Sequence, residues 1–286
     1  MSPRSVLRVH AAYRDDIGDL VTRRPLPGPQ IGQLDPFLFL NHHGPQTYAP
    51  NNRGLPFGPH PHRGFETVTF ILEGELAHLD SGGHESIIRA GGVQWMTAGS
   101  GLVHAEVSPE SFKRAGGPME ILQLWVNLPS RLKMTPPAYV GLQADAIPKI
   151  ELNGGQATAE LISGWLDGEI GPITSLTGVE MSVVRFQAGG VARLPAPADR
   201  AVFFYVVSGR VAVGETPVEH WKLVEFANDG DEIQISAISD AVILYGHADA
   251  IGEPVFSHGP FVMNTREEII QAIEDYNAGK FGEVRL

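Results

Sequence analysis

Three imidazoles and a carboxylate stand in two short pairs, His60-Pro-His62 and His104-Ala-Glu106, within a chain of 286 residues. In an extended strand, side chains two residues apart point to the same face. Each pair can therefore aim both members at one point, and two such strands in a barrel can enclose a cation. The chain contains no cysteine, so a transition-metal site has to be built from imidazole and carboxylate. Three neutral imidazoles and one carboxylate around a divalent ion leave a net charge of roughly +1, with one or two positions open for water, O₂ or an anionic substrate oxygen. Octahedral Fe(II) suits that donor set best; Mn, Ni, Cu and Zn fit it less selectively. The competing reading, structural histidines plus a surface carboxylate, leaves the convergence of the two pairs unexplained.

Neighbouring residues divide between chemistry and packing. Arg63 reads as pointing to solvent and Gly64 as the sharp turn out of the site. Glu66 has two readings, orienting a ligating imidazole or capping its strand at a barrel mouth. Phe57, Phe65 and Trp95 can wall an apolar pocket, although single aromatics beside a barrel also serve as core. His42 and His43 are adjacent, so in a strand they face opposite ways. His78 and His84 flank the turn Ser81-Gly82-Gly83 and read as exposed. His10, His220, His247 and His258 have no partner at ligand spacing. Gly99-Ser-Gly101 lacks the lysine and the strand–helix setting of a phosphate loop and reads as the turn into His104.

The elements that must carry these residues read as strands. Thr67–Leu72, Gly92–Met96, Ile121–Val126, Met181–Phe186, Val202–Val207, Glu232–Ile235 and Ala241–Tyr245 are rich in β-branched and aromatic residues. The 33 glycines and 22 prolines suit many short strands joined by tight turns. Phe70-Ile-Leu-Glu-Gly74-Glu-Leu returns as Tyr205-Val-Val-Ser-Gly209-Arg-Val, an offset of 135 residues. The repeat predicts two copies of one β-barrel. The same offset carries His60 and His62 onto Pro195 and Pro197, so the second copy keeps the scaffold and loses the ligands. The expected organisation is an N-terminal metal-binding barrel over 1–134, a linker over 135–149 and a C-terminal barrel over 150–286. One helix is expected over 265–278, opened by the capping box Thr265-Arg-Glu-Glu268 and packed on a barrel through Ile269, Ile270, Ile273 and Tyr276. The net charge of −12 argues against direct contact with nucleic acid or an anionic membrane. No apolar run approaches a membrane span and no signal-peptide core follows Met1, so a cytoplasmic protein, taken as a monomer, is the expectation.

The order HPHRGFETVTFILEG, then QWMTAGSGLVHAE, resembles the two-motif pattern of the cupin superfamily, and the pirin family within it. The segments LDPFLFL and GPFVMNTREEIIQAIEDYNAGKFG point the same way, and the resemblance runs from about residue 15 to the C-terminus. It implies an all-β bicupin, two jelly-roll-like barrels in tandem with a C-terminal helix and a metal in the N-terminal barrel only. The usual first-motif carboxylate position aligns with Thr67 rather than Glu66, and the resemblance makes His60, His62, His104 and Glu106 the ligands. It further implies a quercetin 2,3-dioxygenase-like activity, in which a small flavonol and O₂ are the partners and Glu106 is the catalytic proton acceptor. The alternative it carries is a non-enzymatic, redox-responsive regulator acting through a protein partner. Another cupin reaction on a different small molecule is the third reading.

Overall fold

The computed structural model describes residues 2–285. The chain is built of strands, and the described residues form only two α-helices, Glu110–Ala115 and Arg266–Asn277. It divides into two units. The N-terminal barrel gathers Arg14–Arg23, Phe37–Ala144 and Ile251–Leu286; the C-terminal barrel gathers Met1–Tyr13, Arg24–Pro36 and Asp145–Ala250. Every expected strand overlaps an observed one, for example Phe65–Glu73, Gly117–Asn127 and Arg200–Ser208; only Gly92, expected to open a strand, lies just outside Val93–Thr97.

In the N-terminal barrel, a seven-stranded sheet contains the run Ala138–Leu142, Val93–Thr97, Phe65–Glu73, Gly117–Asn127 and Phe37–Tyr48. A four-stranded sheet has the order Phe57–His62, Leu102–Val107, Glu75–Asp80 and Glu85–Arg89. Apolar side chains such as Leu20, Ile71, Leu76, Ile88, Met119 and Ile121 form one end of the interior, each contributing roughly 1.5–3 kcal/mol by leaving water. The C-terminal barrel repeats the plan with sheets of seven and four strands. Its small sheet runs Val191–Pro195, Glu232–Ala237, Arg210–Val213 and Thr216–Glu219. Its apolar core includes Val206, Val211, Val224, Ile233 and Ile243, all fully buried.

The distribution of chain between the barrels differs from a split at 135–149. Val6–Ala11 pairs antiparallel with Lys222–Phe226, so the N-terminal strand joins the C-terminal barrel. The C-terminal helix packs on the N-terminal barrel, where Ile269 and Ala272 meet Val103, Phe261 and Phe281. The stretch 135–149 is structural as well, since Ala138–Leu142 pairs with Val93–Thr97. An apolar stripe announces that a helix packs, but not on what. The capping box forms as the sequence implies: Glu268 N–H donates to Thr265 Oγ1 while Thr265 N–H donates to Glu268 Oε2. No helix among the described residues is long and apolar enough to cross a membrane.

Candidate metal centre

The ligand pair and its partner lie on adjacent strands of the small sheet. Phe57–His62 pairs antiparallel with Leu102–Val107, placing His60 opposite His104. Gly64, at φ +90°, then turns the chain into Phe65–Glu73. Strand alternation brings His62 to the same side, and the three rings converge. Ring centroids lie 4.4 Å apart for His60–His104, 4.8 Å for His60–His62 and 4.9 Å for His62–His104. One nitrogen from each ring falls within 4.8 Å of the other two.

Hydrogen bonding decides which nitrogens are available. A carbonyl oxygen can only accept, so Gly58 O at 2.7 Å fixes the proton of His60 on Nδ1, and Pro260 O at 3.3 Å does the same for His62. Both rings are left with an Nε2 lone pair. His104 is completely buried, and neither of its nitrogens has a hydrogen-bond partner. Buried polar atoms are rarely left unsatisfied. A cation at the triad would satisfy one of them, so the residues present fit a bound metal. Protonation does not compete: burial and the neighbouring charge of His60 push His62 down to about 3 against the carbonyl of Pro260. Burial, followed by the charges of His62, His60 and His78, likewise holds His104 well below the usual histidine range.

Glu106 shares this barrel interior but does not join the nitrogen cluster. Its Oε1 accepts from Thr69 Oγ1 at 2.7 Å and its Oε2 from Gln123 Nε2. The pairing register slips between His104 and Glu106, which places Glu106 opposite Phe57. The structure thus brings His60, His62 and His104 together and leaves the buried carboxylate of Glu106 on two neutral donors.

The aromatic surroundings agree with expectation in part. Phe65 lies 5.0 Å from the His62 ring, and Phe57 lies 5.1 Å from His43. Trp95 is elsewhere: it stands opposite Val68 in register, whereas its neighbour Gln94 stands opposite Thr69, whose side chain reaches Glu106. Trp125 takes the wall position, 5.4 Å from His62 and 4.4 Å from Phe65. Trp125 and Gln123 follow one another at a spacing of two, opposite Thr67 and Thr69. The signal that could have found them was a glutamine interrupting the inward face of an otherwise apolar strand.

Three further positions depart from the sequence reading. Arg63 is buried, its Nη1 on Asp275 Oδ2 at 2.8 Å and its Nε on Ser100 O at 2.7 Å. His78 is also buried, stacked 3.9 Å from the Tyr139 ring with Nε2 3.0 Å from Asp80 Oδ2. Although burial pushes the Asp80 carboxyl up, hydrogen bonds from His78 and His84 outweigh it and bring it to about 2. Glu66 neither orients an imidazole nor sits at a mouth. Alternation puts it on the face opposite Thr67 and Thr69, where its Oε1 accepts from Thr97 and burial raises its pKa. His42 and His43 diverge as expected, to Glu120 and Thr22 respectively.

Two family models cover most of this architecture, Pirin over residues 19–126 and the Pirin C-terminal cupin domain over 181–282. A pirin-like protein of Caulobacter vibrioides is 42% identical, across 98% of this chain and 100% of the relative. The chain belongs to the pirin family. Human pirin is 38% identical, over 91% of this chain and 87% of that protein. Among solved structures, a crystal structure of quercetin 2,3-dioxygenase from Acinetobacter baumannii matches with a TM-score of 0.93 at 34% identity. That match covers 99% of this chain and all of the other. This pirin-family chain is therefore an all-β bicupin whose N-terminal barrel carries a histidine triad able to hold a metal.

Proposed function

We propose that this pirin-family protein is a metal-dependent dioxygenase that opens a flavonol such as quercetin with O₂ and releases carbon monoxide. In this reading His60, His62 and His104, with Glu106 as the anionic fourth donor, hold one divalent transition metal, which we assign as Fe(II) from the nitrogen–oxygen donor set. The observation that carries the reading is the convergent triad, with two rings fixed as Nδ1–H tautomers and both nitrogens of buried His104 unsatisfied. The similarity to the A. baumannii enzyme supports the reaction class.

The ion, when bound, would supply Lewis acidity toward an acidic hydroxyl and one-electron chemistry toward O₂. The protein residues do the rest. Glu106 is the anionic group beside the triad and the natural acceptor for the flavonol hydroxyl proton. Thr69 and Gln123 hold its two oxygens, so the carboxylate is oriented before substrate arrives. Trp125, partly exposed next to His62, offers flat apolar surface suited to an aromatic ring system, with the fully buried Phe65 packed against it. Burial of His62, His104 and Glu106 keeps bulk water from the reacting groups.

The test is quercetin consumption by the metal-loaded protein, followed with and without O₂, with carbon monoxide measured in the headspace. Aerobic loss of quercetin with stoichiometric carbon monoxide is expected, and the Glu106→Gln variant should turn over far more slowly. Metal-loaded protein without turnover, or a Glu106→Gln variant equal to wild type, would refute the assignment.

A further inference from the structure

His60 and His62 are oriented by different parts of the chain. The acceptor for His60 Nδ1 is Gly58 O, two residues away on the same strand; the acceptor for His62 Nδ1 is Pro260 O, 198 residues on. Pro260 belongs to a strap that runs along the turn behind His62. Arg63 N–H donates to Pro260 O at 3.4 Å and Val262 N–H to Arg63 O at 3.1 Å.

Two cations fasten this strap. The ammonium of Lys133, only 1% exposed, donates to Gly64 O at 2.8 Å, Asn127 Oδ1 at 2.8 Å and Val262 O at 3.0 Å. Its three protons join the ligand-bearing turn, the end of the Gly117–Asn127 strand and the strap, with no carboxylate among the acceptors. Arg63, the residue after the ligand, donates to Asp275 on the C-terminal helix and lies 4.6 Å over the Phe281 ring. Asp275 is held in turn by Gln271 at 3.0 Å and Lys280 at 2.8 Å. Burying an ammonium and a guanidinium costs free energy unless their hydrogen bonds are met, and both are spent on one short turn.

We infer that the C-terminal strap is a positioning device for the metal centre: Lys133 and the Arg63–Asp275 pair hold Pro260 O where it selects the His62 tautomer. The inference rests on the proposed role of His62 as a ligand. Partners of this kind fix ring orientation, and losing one typically weakens metal binding roughly 10–100-fold.

The experiment compares wild type with Asp275→Asn and Lys133→Met in the full-length protein. Zn(II) affinity is read by competition with a chromophoric chelator, and the metal-free imidazoles by long-range ¹H–¹⁵N correlation spectra. Folded variants should lose Zn(II) affinity by roughly 10–100-fold, with the His62 pattern moving away from a single Nδ1–H tautomer and that of His60 unchanged. An unchanged His62 pattern, or a moved pattern with unchanged affinity, overturns the inference. Should Lys133→Met fail to fold, Asp275→Asn decides. A wild type that takes up no Zn(II) would sink the metal centre itself, and the His62 and His60 spectra would still decide whether the strap orients the ring.

Discussion

Replacing Gly64 by alanine should destabilise this protein several times more than the same change at Gly83, although both glycines have φ +90°. At Gly83 a new methyl group meets no heavy atom within 4 Å, so only the left-handed backbone conformation is penalised, by roughly 1–2 kcal/mol. At Gly64 the same group would sit 2.0 Å from Val262 O and 2.8 Å from Met263 Sδ. Carbon–oxygen contacts are ordinarily no closer than about 3.3 Å, so the strap backbone has to move. That movement pulls Val262 O away from Lys133, a charge-assisted bond of 3.0 Å in the structure. Losing a hydrogen bond to a charged group costs about 1.5–3 kcal/mol. The total for Gly64→Ala is then about 2.5–5 kcal/mol against about 1–2 for Gly83→Ala. At roughly 2–4 °C per kcal/mol for a chain of this size, thermal unfolding followed by circular dichroism should separate the two clearly. The Gly64 variant should also bind Zn(II) more weakly than the Gly83 variant at a temperature where both are folded. Equal falls in midpoint for the two variants would refute the argument, because they share the strain and differ only in the strap contact.

Thr69→Val keeps the shape of the side chain but leaves Glu106 Oε1 without its donor; turnover of quercetin by the folded variant should fall roughly tenfold, and equal rates would count against an oriented carboxylate. Thr265→Ala removes the acceptor of the capping box and should cost about 1 kcal/mol in urea denaturation. Lys133 carries a pH signature as well: burial pulls its ammonium down to about 8 from 10.5, against the charges of Glu268 and Glu253. The unfolded chain then binds more protons between about pH 8 and 10.5, so this residue makes stability rise with pH across that window. Lys133→Met should flatten that rise, which urea denaturation at pH 7.5 and pH 10 would show.

Much of the site could be read from local pattern, because a His-x-His pair in a strand needs only the period of two to converge. The duplication was legible for the same reason, since Gly74 and Gly209 close equivalent turns. What escaped depended on pairing register and on distant chain. Trp95 and Trp125 are both aromatics in short apolar strands, and only the register distinguishes the one that shares a face with Gln123. His78 looked exposed because a glycine-rich turn follows it. Its ring is covered by Tyr139, from a stretch whose prolines suggested a linker. Arg63 looked solvated because its partners, Asp275 and Phe281, lie more than 200 residues away.

The two barrels show how one scaffold meets the same local problem with and without ligands. His60 stands opposite His104 in the N-terminal barrel, and at the matching place in the other small sheet Pro195 stands opposite Glu232. The proline side chain carries no nitrogen or oxygen donor atom, so this position supplies no imidazole to tie that end of the sheet through an ion. A buried arginine ties it instead. Arg4 donates to the carbonyls of Ala196, Pro197, Arg200 and Gly230 and to Asn228 Oδ1. A guanidinium with several fixed donors cross-links loops permanently and leaves no open position for substrate. Three histidines left with free lone pairs leave the N-terminal barrel dependent on what it binds. The division of labour between a fixed barrel and a chemically open one therefore follows from which side chains each copy presents at the same register.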